Sequence, residues 1–371
     1  MCQLRDALNA AGHEVRVCAP KRYADKFGAN VYDTFEDWTR DAFESAEALL
    51  FVSATGIAVR AIAPYVKDKF VDPAVISIDE GGSFVVPLLS GHVGGANDLA
   101  REVAAACGAQ AVISTATDVN GAFAIDEWAR KQDLAILDRV VAKEVSAAVL
   151  AGTAVGFASD FPYDGALPRG FHLHSDKGTD HLSYFSPHDK NTGHVEQSSS
   201  CLNCGEESSI GNRTNDLSPC HDLGVSVSLD PGKRPFERTL RLVPRVVTVG
   251  VGCKRDTPAE KIAALVDACL EEAHIASQAV CALASIDVKA DEAGLLQVAD
   301  ERGWATCFYS AEELAAVPGD FTSSAFVAKT VGVDNVCERA ACAGGNTLLQ
   351  KRRSNDGVTA ALALHMPNLH F

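Results

Sequence analysis

The chain has 371 residues, 47% hydrophobic and 22% charged, with a formal net charge of −16. This balance excludes a disordered chain, the acidity argues against DNA or RNA as the main partner, and the length predicts two or three domains. No run of about 18 uncharged apolar residues would span a membrane. The start, from Met1 to Asp6, lacks a signal-peptide core, and twelve cysteines in that context point to reduced thiols in the cytoplasm.

In chain order, Leu4, Leu8 and Ala11 form a short helical stripe ended by Gly12, and residues 13–19 read as a strand. An α/β domain ordinarily opens with a strand, so its first strand is expected to be missing. Residues 34–46 read as a helix capped by Thr34 and 48–53 as a buried strand. Residues 57–66 read as a helix broken by Pro64. Strands are expected at 75–79 and 83–89, joined by the hairpin-like turn Asp79-Glu80-Gly81-Gly82.

The apolar run then stops at Ser90-Gly91-His92-Val93-Gly94-Gly95-Ala96-Asn97-Asp98, and an alanine-rich amphipathic pattern closed by Gly108 follows. This reads as strand, glycine loop, helix. Glycines admit positive φ and close approach to the main chain, and a helix N-terminus favours an anion. The spacing is neither a phosphate loop, which needs Lys followed by Ser or Thr, nor G-x-G-x-x-G. A tight turn with a capping Asn accounts for the pattern equally well.

Residues 111–114 read as a strand leading into the polar loop 115–121, and 123–131 and 140–150 as helices. Alternating strands and helices imply a mostly parallel, helix-covered sheet, whose ligands bind outside the carboxyl ends of strands. The loops 53–56, 90–97 and 115–121 all follow strands and are the candidate site.

Residues 151–243 differ. Strands are expected at 155–158 and 224–229. Between them, 172–222 is a polar insertion carrying Cys201, Cys204, Cys220 and His221. A disordered or loosely ordered insertion is the favoured reading, with zinc a minor alternative because adjacent Cys220 and His221 can rarely both reach one tetrahedral ion. A third unit begins at 244, with strands at 246–251, 280–285, 305–309, 347–351 and 358–364 and helices at 257–273, 291–302, 310–317 and 335–342. Thr257 is expected to cap the first of these helices, with Pro258 and Glu260 in its first turn. Lys254 and Arg255 then stand on a loop before a helix N-terminus. Two further basic clusters are Arg60 with Lys67 and Lys69, and Lys351 with Arg352 and Arg353; each also fits a solvated surface. The fold class is therefore α/β: two open helix-covered domains, 1–150 and 244–371, with mostly parallel sheets, joined by an irregular middle region, 151–243.

Several blocks resemble one family. The run from Thr55 through Gly56 and Arg60 to Pro64, then Lys69, Asp72-Pro73-Ala74-Val75, Leu88 to Asn97 and Thr115-Ala116-Thr117-Asp118 resemble the amino-terminal domain of the CbiG family, the cobalt-precorrin-5A hydrolases of anaerobic cobalamin biosynthesis. Gly250-Val251-Gly252-Cys253-Lys254-Arg255 with Thr257, then Gly332-Val333, Val336, Glu338, Ala340-Ala341, Lys351 and Val358-Thr359 resemble its carboxy-terminal domain, shared with CobE-type proteins. The insertion at 172–222 departs from the family pattern.

The resemblance implies a cytoplasmic enzyme that opens the lactone of a ring-contracted cobalt corrinoid with water and expels the meso carbon as acetaldehyde. Cobalt arrives inside the tetrapyrrole substrate, so no protein cofactor or catalytic metal is expected. Such chemistry needs an acid or base, donors for an oxyanion and cations for peripheral carboxylates. His92 is the first choice for acid–base work, with Asp79, Glu80 and Asp118 as second choices and Ser90 as a weaker nucleophile candidate. Gly94 and Gly95 N–H groups would hold the oxyanion. Arg60, Lys254, Arg255 and Lys351 would hold carboxylates, and Thr55, Gly56, Gly91, Asn97, Thr115, Thr117, Gly252, Cys253 and Glu338 complete the expected binding set. Cys253 is either a thiol of lowered pKa beside two cations or a small buried residue. A homodimer and contacts with neighbouring pathway enzymes are further expectations. The alternatives are a non-catalytic corrinoid carrier and a pathway methyltransferase, the latter disfavoured by the lack of a glycine-rich loop on the first strand–helix turn.

Overall fold

The computed structural model describes residues 2–68, 71–174, 222–323 and 332–371. Lys69 and the candidate zinc residues Cys201, Cys204, Cys220 and His221 lie outside the described residues. The chain divides into two units, one of Met1–Thr153 with Pro168–Gly170, the other of Ala154–Leu167 with Phe171–Phe371. Among the described residues no helix is long and apolar enough to cross a membrane.

The first unit is built on four strands in the order Ala48–Val52, Ala74–Ile78, Phe84–Leu89, Gln110–Ala111. Ala74–Ile78 is the centre, and all five of its residues are buried. Alternation along a strand sends neighbours to opposite faces. Ile76 and Ile78 pack with Leu4, Leu8, Ala100 and Val103 from the helices Cys2–Ala10 and Ala96–Cys107. Val75 packs the other way, with Phe43, Ala58 and Ile62 from the helices Phe35–Ser45 and Thr55–Ile62. Each buried Val, Leu, Ile or Phe side chain among them contributes about 1.5–3 kcal/mol, so both faces of the sheet are covered for the same physical reason. Thr34 caps its helix as expected, its hydroxyl accepting from Asp37 N–H at 3.0 Å.

The polarity of this sheet corrects one expectation. Ala48–Val52 and Ala74–Ile78 run parallel, but the hairpin turns Phe84–Leu89 antiparallel to them, and Gln110–Ala111 follows Phe84–Leu89 in parallel. The loop after Val52 therefore lies at one end of the sheet, and the loops after Leu89 and Ala111 lie at the other. The three candidate loops do not share an edge. Two expected strands are also shorter: only Cys18–Ala19 of 13–19 pairs, with Asn30–Val31, and only Gln110–Ala111 of 111–114. Among the described residues neither has a second neighbouring strand to hold a longer ladder.

In the second unit Phe171–Leu173, Val155–Ser159, Leu223–Val227 and Arg238–Pro244 pair in parallel in that order. A further sheet runs Ala305–Tyr309, Val280–Ile286, Val247–Cys253, Val358–Leu364, Thr347–Asn355. Its first three strands are parallel and its last two antiparallel. The helix after Val247–Cys253 is Ala259–Glu272. Thr257 does not cap it: its hydroxyl donates to the Lys254 carbonyl at 2.8 Å and its N–H donates to Glu292 at 3.2 Å. The helix starts after Pro258, with no side-chain cap. Ser310 and Glu313 form a reciprocal capping box on Ala311–Ala316.

Candidate functional site

The glycine loop turns as sharply as its composition allows. Ser90 takes a φ of +54° and is held there by its hydroxyl, which donates to the Asp72 carbonyl at 2.8 Å. A Cβ on Gly94 would stand 2.4 Å from Ser90 Cβ, so only glycine fits. Gly95, at φ +78°, starts the Ala96–Cys107 helix, and its N–H donates to the His92 carbonyl at 3.1 Å. That N–H closes the turn and is not directed at a ligand. Arg130 clamps the loop from outside, donating from Nε to the His92 carbonyl at 3.0 Å and from Nη2 to Asp98 at 2.6 Å.

This geometry presents His92 to two carboxylates. Nε2 lies 2.9 Å from Asp118 Oδ2 and 3.0 Å from Thr117 Oγ1. Nδ1 lies 3.5 Å from Asp126 Oδ1. The imidazole is 15% exposed, Asp118 14% and Asp126 7%. The Asp126 carboxylate is the main influence raising the His92 pKa; burial opposes it and Asp118 adds to it, leaving His92 at about 9. Burial pushes Asp118 up, but hydrogen bonds from Thr115, His92 and Arg101 outweigh it and hold its carboxyl at about 2. Asn97 donates to Asp118 at 2.9 Å and to Thr115 at 3.1 Å. Asp118 thus ties together the glycine loop, the next helix and the loop after Ala111. At neutral pH the group is an imidazolium between two carboxylates, so His92 is a proton donor in its resting state.

An open depression of about 360 Å³ adjoins this cluster, lined among others by Thr117, Asp118, Phe123, Glu127, Trp128 and Lys131. His92, Asp118 and Glu127 each offer a ligand atom within 4.8 Å of the others, close enough for a divalent ion. Competing partners oppose that use. Arg101 already pairs with Asp118, and Lys131 holds Glu127 at 2.6 Å. A cation entering there would have to displace two others.

The structure thus brings together His92, Asp118, Asn97, Thr115 and Thr117, with Ser90 and Gly91 to Gly95 as the frame. Ser90 is committed to Asp72. Thr55, Gly56 and Arg60 are exposed at the opposite end of the sheet, where Arg60 donates to the Gly56 carbonyl at 3.3 Å. Asp79 is there too. Backbone N–H groups of Phe84, Ser83 and Gly81 donate to its carboxylate, and the Phe84 bond above all holds its pKa low against some desolvation. It is a turn-stabilising group. Glu80 is exposed on the same turn.

The second-unit candidates are described by themselves. Arg255 forks onto Asp291, with Nη1 to Oδ1 at 2.6 Å. Cys253 has its thiol pushed up by burial, with Lys289 only partly opposing; it is a half-buried thiol and not a thiolate. Gly252 accepts from Thr359 at 3.1 Å. Lys254 is exposed, and Lys351 lies 3.4 Å from Asp320. Glu338 is fully buried and its two oxygens accept from Thr322 N–H at 2.7 Å and Arg352 N–H at 2.6 Å, which makes it a brace for the backbone. Sequence reasoning does not point to Asp126, Glu127, Arg101 or Arg130. Asp126 and Glu127 are acidic residues in a helix's first turn, a placement the helix dipole alone explains, so no local signal marks them.

The first unit is therefore an α/β domain with a partly buried acid–base cluster at the loop end of its sheet. A family model described as Cobalamin synthesis G N-terminal matches residues 37–118, which include His92 and Asp118. One described as Cobalamin synthesis G C-terminus matches residues 247–363. The chain is 36% identical over 336 residues to the cobalt-precorrin-5A hydrolase of Salmonella typhimurium, covering 89% of this chain and 85% of that protein. It is 32% identical over 332 residues to the cobalt-precorrin-5A hydrolase of Priestia megaterium, covering 87% and 79%. It is also 32% identical over 121 residues to Protein CobE of a Sinorhizobium species, covering 32% of this chain and 79% of that protein. The chain belongs to the CbiG family of cobalamin-synthesis proteins.

Proposed function

We propose that this protein is a cobalt-precorrin-5A hydrolase, which opens the substrate lactone with water and releases the meso carbon with its methyl group as acetaldehyde. The observation that carries the reading is the match to two cobalt-precorrin-5A hydrolases along most of the chain. The geometry supports an acid role for His92. When the carbon–carbon bond breaks, its electron pair passes to the macrocycle, and the macrocycle carbon needs a proton. An imidazolium held charged between Asp118 and Asp126 supplies it. Asp118, saturated with donors, is a poor base; it keeps His92 charged and oriented.

The test is anaerobic incubation of the full chain with cobalt-precorrin-5A and an assay for acetaldehyde. Stoichiometric, protein-dependent release supports the reading, and His92→Gln is expected to lower kcat by about 100-fold or more. Corrinoid bound without any acetaldehyde would favour a carrier. A His92→Gln protein turning over at the wild-type rate would exclude the acid role.

A further inference from the structure

His92 is an acid that does not itself line the depression beside it. Its side chain is 15% exposed. Nδ1 faces Asp126 and Nε2 faces Asp118 and Thr117. A proton passing from Nε2 into the depression would travel by a group that touches the imidazole and also lines that depression.

Among the described residues, Asp118 and Thr117 meet both conditions. Asp118 carries no proton to give, since its carboxylate is ionised and accepts from Thr115, Asn97, His92 and Arg101. Thr117 has a hydroxyl, which accepts and donates at once. Its Oγ1 stands 3.0 Å from Nε2. Its backbone is fixed, because its carbonyl accepts from Ala122 N–H at 2.8 Å, and the residue is 7% exposed.

We propose that the Thr117 hydroxyl relays the His92 proton to the tetrapyrrole. Nε2–H, shared between Asp118 Oδ2 at 2.9 Å and Thr117 Oγ1 at 3.0 Å, passes to Oγ1 as the Oγ1 proton passes to the macrocycle carbon that receives the electron pair of the breaking bond. The imidazole is left neutral, Thr117 keeps a hydroxyl, and no charge rests on it. The relay depends on the acid role of His92 proposed above.

The test pairs Thr117→Val, which keeps the shape and removes the hydroxyl, with Thr117→Ser, which keeps the hydroxyl. Each full-length variant is assayed for acetaldehyde release from cobalt-precorrin-5A in H2O and in H2O/D2O mixtures, beside His92→Gln. The expected result is a kcat about 100-fold lower for Thr117→Val, KM within a few-fold of wild type, and near-normal kcat for Thr117→Ser. The wild-type and Thr117→Ser rates should fall with deuterium content along a curve that requires two protons in flight. A Thr117→Val protein with wild-type kcat while His92→Gln is inactive would overturn the relay and leave the acid standing; wild-type kcat in both would remove the acid itself. A linear deuterium dependence in wild type, with one proton in flight, would also overturn the relay and reduce Thr117 to a structural contact. If the valine variant fails to fold, Thr117→Ala carries the same expectations.

Discussion

Replacing Asp126 by Asn keeps the shape of the side chain and removes one of the two charges beside His92. Asp126 Oδ1 lies 3.5 Å from Nδ1, and the two side chains are 7% and 15% exposed. An opposite charge at such range moves a pKa by about 1–3. Asp118 stays in place on the other nitrogen, and water reaches part of the ring, so the lower half of that range applies. Asp126→Asn should bring His92 from about 9 to about 7–8, equivalent to about 1.4–2.7 kcal/mol of differential stabilisation of the charged form. The measurement is an NMR titration of the imidazole Cε1–H signals, with His92→Gln identifying the relevant one among eleven histidines. The catalytic consequence has a definite sign. The acid works only while protonated, so the alkaline fall of kcat should move down by the same amount. A His92 midpoint unchanged by Asp126→Asn would refute the argument that Asp126 holds the proton on the ring.

Two further outcomes follow from the same physics. His92 has a folded-state pKa above its ordinary 6.5, so its contribution to stability is fully present below pH 6.5 and is lost as pH rises through about 9. The full displacement corresponds to about 3 kcal/mol, and solvent screening of the partly exposed ring reduces this to about 1–2 kcal/mol. Urea unfolding of wild type and His92→Gln at pH 6 and pH 9.5 should show a stability gap that closes at the higher pH; a gap independent of pH would refute it. Glu338→Gln turns an acceptor into a donor facing the Thr322 or Arg352 N–H, so it should cost about 1–3 kcal/mol in urea unfolding. KM for the tetrapyrrole should not change, because the side chain is fully buried, and a raised KM would restore it to the binding set.

Local signals in the sequence are borne out where the physics is local. The Thr34 cap, the αL Gly108 and the glycine loop opening onto a helix each depend on a few adjacent residues. The α/β class follows from the alternation of apolar strands with amphipathic helices. What fails is the placement of the loops. The turn at Asp79-Glu80-Gly81-Gly82 reads as a hairpin, and a hairpin reverses the chain; that reversal alone is enough to separate Arg60 from His92. Asp126 is a different case. It reaches His92 only because two helices and a loop converge in space, and nothing within several residues of either one encodes that meeting. Charge alone also does not reveal the intramolecular partners of Asp79, Arg255 and Glu338, which are turn amides, Asp291 and buried backbone.

The reversal in the first sheet also offers a practical foothold. The turn carrying Glu80 and the loop carrying His92 are separated by the length of the Phe84–Leu89 strand, about 20 Å. A fluorophore or an immobilisation tag attached at Glu80 would sit on solvent, at the far end of the sheet from His92 and Thr117. Substrate arrival and departure could then be followed on single anchored molecules without a label intruding on the chemistry.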